Sequence, residues 1–164
     1  ETDLVLESKD GLRFGAHSAD LAVFSDAFPV VGSGIVVTEV VQMTETADVV
    51  LMLLQFMHRQ RWVKSEKIPF GLLHRLAEAA EKYCIFSLME ICRIQMQAAV
   101  SQHPLEVFMY ASRHGYDDIR DLSAPGTLDL PLESTLRRLS RDYPSVCVPW
   151  VRTASLLHVQ SLTF

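Results

Sequence analysis

The chain has 164 residues, 49% of them hydrophobic and 21% charged, with a formal net charge of -5 at pH 7. That apolar content excludes disorder as the main state, and the length fits one domain, or one core with an appendage, burying roughly 70% of its unfolded surface. The acidic balance argues against a nucleic-acid partner, since phosphate binding wants clustered Lys and Arg.

The nearest basic cluster, Arg137, Arg138 and Arg141, reads as the solvated face of a helix. No apolar run reaches the roughly 18 residues that span a bilayer, and the richest, Val49 to Met57, is broken by Gln55. Strand pattern begins almost at the first residue, so neither a leader peptide nor a membrane partner is expected. Cys84, Cys92 and Cys147 are an odd number without CxxC spacing. This favours buried thiols in a reducing compartment, cytoplasmic or nuclear.

Leu4 and Leu6 fall on one face of a first strand, Lys9-Asp10-Gly11 forms a turn, and Leu12, Phe14 and Ala16 alternate along a second strand. At His17 the period lengthens: Leu21, Phe24 and Phe28 recur at helical spacing. Pro29 to Gly34 is a loop by composition, and Ile35 to Met43 reads as strand, strongest from Val40. Thr44 or Thr46 then caps a helix to about Met57, apolar nearly all round and therefore central. His58 to Lys67 is polar and basic apart from Trp62 and Val63, with room for a short edge strand.

Pro69 opens a helix with a stripe of Leu72, Leu73, Leu76, Ala80 and Tyr83. Ser87-Leu-Met-Glu90 has capping-box spacing ahead of a helix burying Leu88, Ile91, Cys92 and Met96. A second portion follows Ser101-Gln-His103, giving domains 1–100 and 101–164. In it Pro104 and Gly115 bracket a helix, and a short one spans Asp117 to Leu122, ended before Ala124-Pro125-Gly126. A third carries Leu132, Leu136, Leu139 and Tyr143 in register. The stretch from Pro144 is the least legible, with Leu156, Leu157, Val159 and Leu162 suggesting a helix or strand.

The order strand, strand, helix, strand, helix, helix, helix resembles the BTB/POZ domain over roughly Asp3 to Ala99. The matching residues are Asp3, Phe14, His17, Leu21-Ala22, Ser25 and Phe28, then Leu53-Leu54-Gln55-Phe56, Ala79-Ala80-Glu81-Lys82-Tyr83 and Leu88 through Cys92. The helices from Pro104 onward resemble the extension that often follows this domain, notably in fungal members. The resemblance implies an α+β fold, a small three-stranded sheet packed with helices and followed by additional C-terminal helices. It also implies a non-catalytic protein–protein interaction module, an adaptor or self-association domain, with a protein partner or a homodimer.

Departures from the family pattern fall on partner-facing positions. Family members usually carry Lys or Arg after the helix-start His, forming with the strand Asp a charged pocket near the dimer interface; here the pair is Asp3 and Ser18. Gly32 replaces a second large aromatic, and His58 an aromatic before the edge strand. The apolar-x-Glu signature of members that recruit a cullin ubiquitin ligase has no counterpart in Pro29 to Gly34. Val37-Thr38-Glu39 matches its letters in strand-like surroundings.

Asp3, His17, Ser18, Phe24 and Trp62 are the candidate interaction residues. Trp62, among Arg59, Arg61 and Lys64, reads either as an interface anchor or as a side chain tucked on its own domain. No catalytic residue, cofactor or metal site is expected. There is no HExxH, no Cys-His zinc spacing, no P-loop, and Gly32-Ser33-Gly34 lacks the GxSxG flanks. Cys92 beside Arg93 on an apolar stripe reads as inert core. Two alternatives stand beside the interaction module: a substrate adaptor for a cullin ligase, and a small α+β enzyme or ligand-binding protein whose site is built from scattered residues.

Overall fold

The computed structural model describes residues 2–28, 40–57 and 68–161, with side chains to residue 152. The loop read over Pro29 to Gly34, the strand residues 35–39, the segment 58–67 with Trp62, and Leu162 lie outside the described residues. The chain is α+β, with a three-stranded mixed sheet and eight helices among the described residues. It divides into two compact units, 1–96 and 97–164. No helix among the described residues is long and apolar enough to cross a membrane.

In the first unit β1 (Leu4–Glu7) lies between β2 (Arg13–Ala16), antiparallel, and β3 (Val40–Gln42), parallel. The pleat sends Leu4 and Leu6 into the core and leaves Val5 and Glu7 half-buried, as a period of two requires. Gly11 holds φ +82 at the hairpin turn, a conformation that L side chains adopt at a cost. Asp10 of that turn has a second task. Its carboxylate accepts the Ala47 amide at 2.8 Å, so the hairpin itself caps α2 (Ala47–Met57). Thr46, expected as the cap, donates instead to Asp48 at 2.5 Å.

α2 buries Val49, Val50, Leu53, Leu54 and Met57, each worth about 1.5–3 kcal/mol of transfer free energy. α1 (Ser18–Phe24) stops earlier than the spacing to Phe28 suggests. Ser25 turns extended, and its hydroxyl accepts the amides of Ala27 and Phe28.

α3 (Phe70–Lys82) and α4 (Phe86–Ala98) form a hairpin. The turn is a Schellman motif. Cys84 sits at φ +50, its amide reaching the Glu81 carbonyl at 3.2 Å, while the Ile85 amide reaches that of Ala80 at 3.0 Å. A non-glycine residue there costs about 1–2 kcal/mol; burying Ile85 completely offsets it. The capping box expected at Ser87 does not form. α4 starts at Phe86, Ser87 is exposed within its first turn, and Glu90 pairs with Arg93 at 3.0 Å. The Ile85 carbonyl instead accepts the amides of Leu88 and Met89.

The second unit contains α5 (Pro104–His114), α6 (Asp117–Leu128), α7 (Leu132–Asp142) and α8 (Pro144–Ser161). Its core gathers Leu105, Phe108, Met109, Leu139 and Trp150. Two expectations are corrected here. The helix read as ending at Leu122 runs through Pro125 to Leu128. Pro125 breaks one ladder bond, and tertiary packing outweighs it. Thr127 is fully buried, donating to the Ala124 carbonyl at 2.6 Å and accepting the Trp150 indole N–H at 2.7 Å. Gly126 lies so close to the Pro104 ring that a Cβ there would meet it at 2.9 Å.

The leucine stripe of α7 is also less buried than its register suggests. Leu132 is 63% exposed and Leu136 36%, whereas Thr135 and Leu139 face inward. Thr127→Val should leave the Trp150 N–H without an acceptor in the core, costing about 2 kcal/mol. Chemical denaturation of the two proteins measures the difference.

Candidate functional site

Of the sequence-derived interaction residues, Asp3, His17 and Ser18 come together at the start of α1. Asp3, just before β1, accepts the Ser18 amide at 2.8 Å and its hydroxyl at 2.5 Å. The bonds from Ser18 hold the Asp3 carboxyl below its ordinary range, and the charge on His17 acts in the same sense. His17 supplies the N-cap position with extended backbone and no side-chain cap bond. Ser18 thus joins Asp3 to the start of the helix. Phe24 is half-buried at the other end of α1. Trp62 lies outside the described residues.

A second constellation centres on Tyr83, at the C-cap of α3. Its hydroxyl donates to Glu45 at 2.6 Å and lies 3.7 Å from the Met43 sulfur. Its ring stacks on Phe28 with centroids 4.7 Å apart and an angle of 14°. Its carbonyl accepts the Ser25 hydroxyl. Lys82 reaches Glu45 at 2.9 Å, Thr44 at 2.6 Å and the Tyr83 oxygen at 2.9 Å.

Burial and the neighbouring Glu45 carboxylate push Tyr83 up to about 12. Burial would raise Glu45, but the bonds from Lys82, Tyr83 and Thr44 outweigh it and lower the group. Lys82 is likewise lowered by burial and raised, on balance, by Glu45 and Tyr83. These directions favour a protonated phenol, an ionised carboxylate and a charged amine, each engaged with the others. Such a set stabilises; its phenol is a poor base at neutral pH.

The node borders a groove of about 490 Å³ lined by Lys9, Thr46, His74, Arg75 and Glu78. Arg75 there pairs with Asp48 at 2.7 Å. Burial, with a smaller contribution from Glu81, pushes the Cys92 thiol up to about 12, so it stays protonated and unreactive. Arg137, Arg138 and Arg141 each meet a carboxylate: Glu133 at 2.7 Å, Glu106 at 2.6 Å and Asp142 at 2.7 Å. Among the described residues no group of three or more His, Cys, Asp or Glu side chains is placed to hold a metal ion.

Sequence reading found Ser25, Phe28 and Tyr83 as separate motif letters and missed that they form one contact. It missed Glu45 as the partner of Tyr83 and Asp10 as the cap of α2, since nothing in a spacing pattern announces a contact across 37 or 38 residues. No family model matches the chain, and no curated protein matches it.

Tyr83→Phe keeps the ring stack and removes the hydroxyl. It should cost about 2 kcal/mol, the scale of a hydrogen bond to a charged group. The pH dependence adds a sign. A tyrosine held at about 12 in the folded state, against 10.0 ordinarily, contributes fully below pH 10 and loses that contribution as pH rises toward 12. Glu45, lowered, contributes above its ordinary 4.5 and loses that as pH falls. Thermal melts from pH 3 to 12 should therefore show a shallower alkaline decline for Tyr83→Phe and an acid arm still present.

Proposed function

We propose that this chain is a BTB/POZ-like protein–protein interaction module, non-catalytic and cytoplasmic or nuclear, acting through self-association of its first unit. The observation that carries this reading is where the first unit spends its exposed surface. Val23 on α1 is 73% exposed, Phe86 and Ile94 on α4 are 62% and 57% exposed, and Leu51 on α2 is 46% exposed. Large apolar side chains at the surface are energetically useful when a partner covers them.

Two further features support it. The hairpin, the helix, a third strand parallel to the first and the closing helical pair follow the order of the family that the motif letters resemble. The charged constellations at Asp3, Glu45, Asp48 and Arg138 are engaged within their own units and serve stability.

Light scattering over a micromolar concentration series tests the reading. The wild-type mass should rise toward that of a dimer. Val23→Lys combined with Phe86→Lys should hold the monomer mass and melt where the dilute, monomeric wild type does. A wild-type monomer at every concentration would contradict self-association.

A further inference from the structure

The second unit contains a cavity of about 580 Å³ lined by α5, α6 and α8, within the 300–1,000 Å³ range of small-molecule sites. Most of its wall is apolar: Phe108, Ala124, Leu128, Val146 and Trp150. Trp150 has already committed its N–H to Thr127, so it offers the cavity carbon surface.

Ser112, Asp121 and Ser145 also line the cavity. The Ser112 hydroxyl is buried without a partner, a cost that a folded chain ordinarily avoids. Pro125 and Pro149 sit inside α6 and α8. Each lacks an N–H, so the carbonyls four residues earlier, on Asp121 and Ser145, have no helical donor at that position. All four of these residues line the same cavity.

Arg120 on the cavity lining is shared between two carboxylates, Asp117 at 2.6 Å and Asp121 at 2.9 Å. An anionic ligand would find no unspent cation there, and a cationic one would compete with Arg120 for Asp121. We propose that this cavity binds a small neutral molecule with an aromatic body and an O–H or N–H donor. The body packs against Phe108 and Trp150. The donor meets Ser112, whose hydroxyl turns into the cavity about χ1. This site is separate from the surface assigned to self-association, and its test is independent of that assignment.

Phenol and toluene, alike in shape but differing in the donor, are the probes. In 15N–1H spectra of the full chain, phenol should give saturable shifts at the Trp150 indole and around Ser112. Toluene should bind about fivefold more weakly, the equivalent of one hydrogen bond. Ser112→Ala should bring phenol to the level of toluene, and Ala124→Phe should abolish both titrations while the spectrum stays dispersed. The proposal is overturned by equal affinities in the wild type, by shifts that fail to saturate, or by binding that survives Ala124→Phe. If Ala124→Phe does not fold, the phenol-to-toluene ratio in Ser112→Ala decides: an unchanged ratio overturns it.

Discussion

Tyr83 is the residue on which the first unit's architecture depends. One side chain and its own carbonyl hold three segments far apart in sequence. The ring covers Phe28 beyond the end of α1, the hydroxyl holds Glu45 between β3 and α2, and the carbonyl takes the Ser25 hydroxyl. The same residue is the C-cap of α3, and the left-handed Cys84 beside it turns the chain into α4. A half-buried phenol satisfied by a carboxylate is stable where an unpaired one would not be.

This arrangement explains why the short α1 ends where it does. Continuing the helix to Phe28 would keep Ser25 in helical geometry and remove its hydroxyl from the Tyr83 carbonyl. Ending at Phe24 frees Ser25 to serve two amides and that carbonyl at once, and it lets Phe28 reach the ring. Asp10 does similar work at the hairpin, where a turn residue caps a helix from 37 residues away. Long-range polar contacts of this kind set the geometry, while fully buried side chains such as Leu6, Leu53 and Leu76 contribute the hydrophobic stabilisation.

The sheet, the hairpin and the α3–α4 pair were legible in the sequence because local period and turn chemistry specify them. Leu4 and Leu6 alternate, Asp10-Gly11 turns, and Pro69, Pro104 and Gly115 punctuate helices by rules that act within a few residues. What escaped was set at a distance. Pro125 reads as a stop, yet α6 passes through it because Thr127, Trp150 and the Gly126–Pro104 approach reward the next turn. Ser87 and Glu90 spell a capping box, but the Schellman turn starts α4 before it can form. Ser18 carries no spacing signal of its own, and only the bonds to Asp3 reveal what that serine does.

The functional reading follows from the same division of labour: the ion pairs of Glu45, Asp48 and Arg138 are each made within one unit, and Val23, Leu51, Phe86 and Ile94 remain at the surface of the first. Its structural premise is that Tyr83 makes α1, the β3–α2 junction and α3 one cooperative body able to present that surface. Native-state hydrogen exchange in Tyr83→Leu tests this most directly. The amides of Leu21 and Ser25, of Met43 and Val50, and of Tyr83 and Ile85 are all hydrogen-bonded in the native chain. The account predicts that they lose protection together and to the same extent. Loss confined to Tyr83 and Ile85, with the other four amides unchanged, would contradict it.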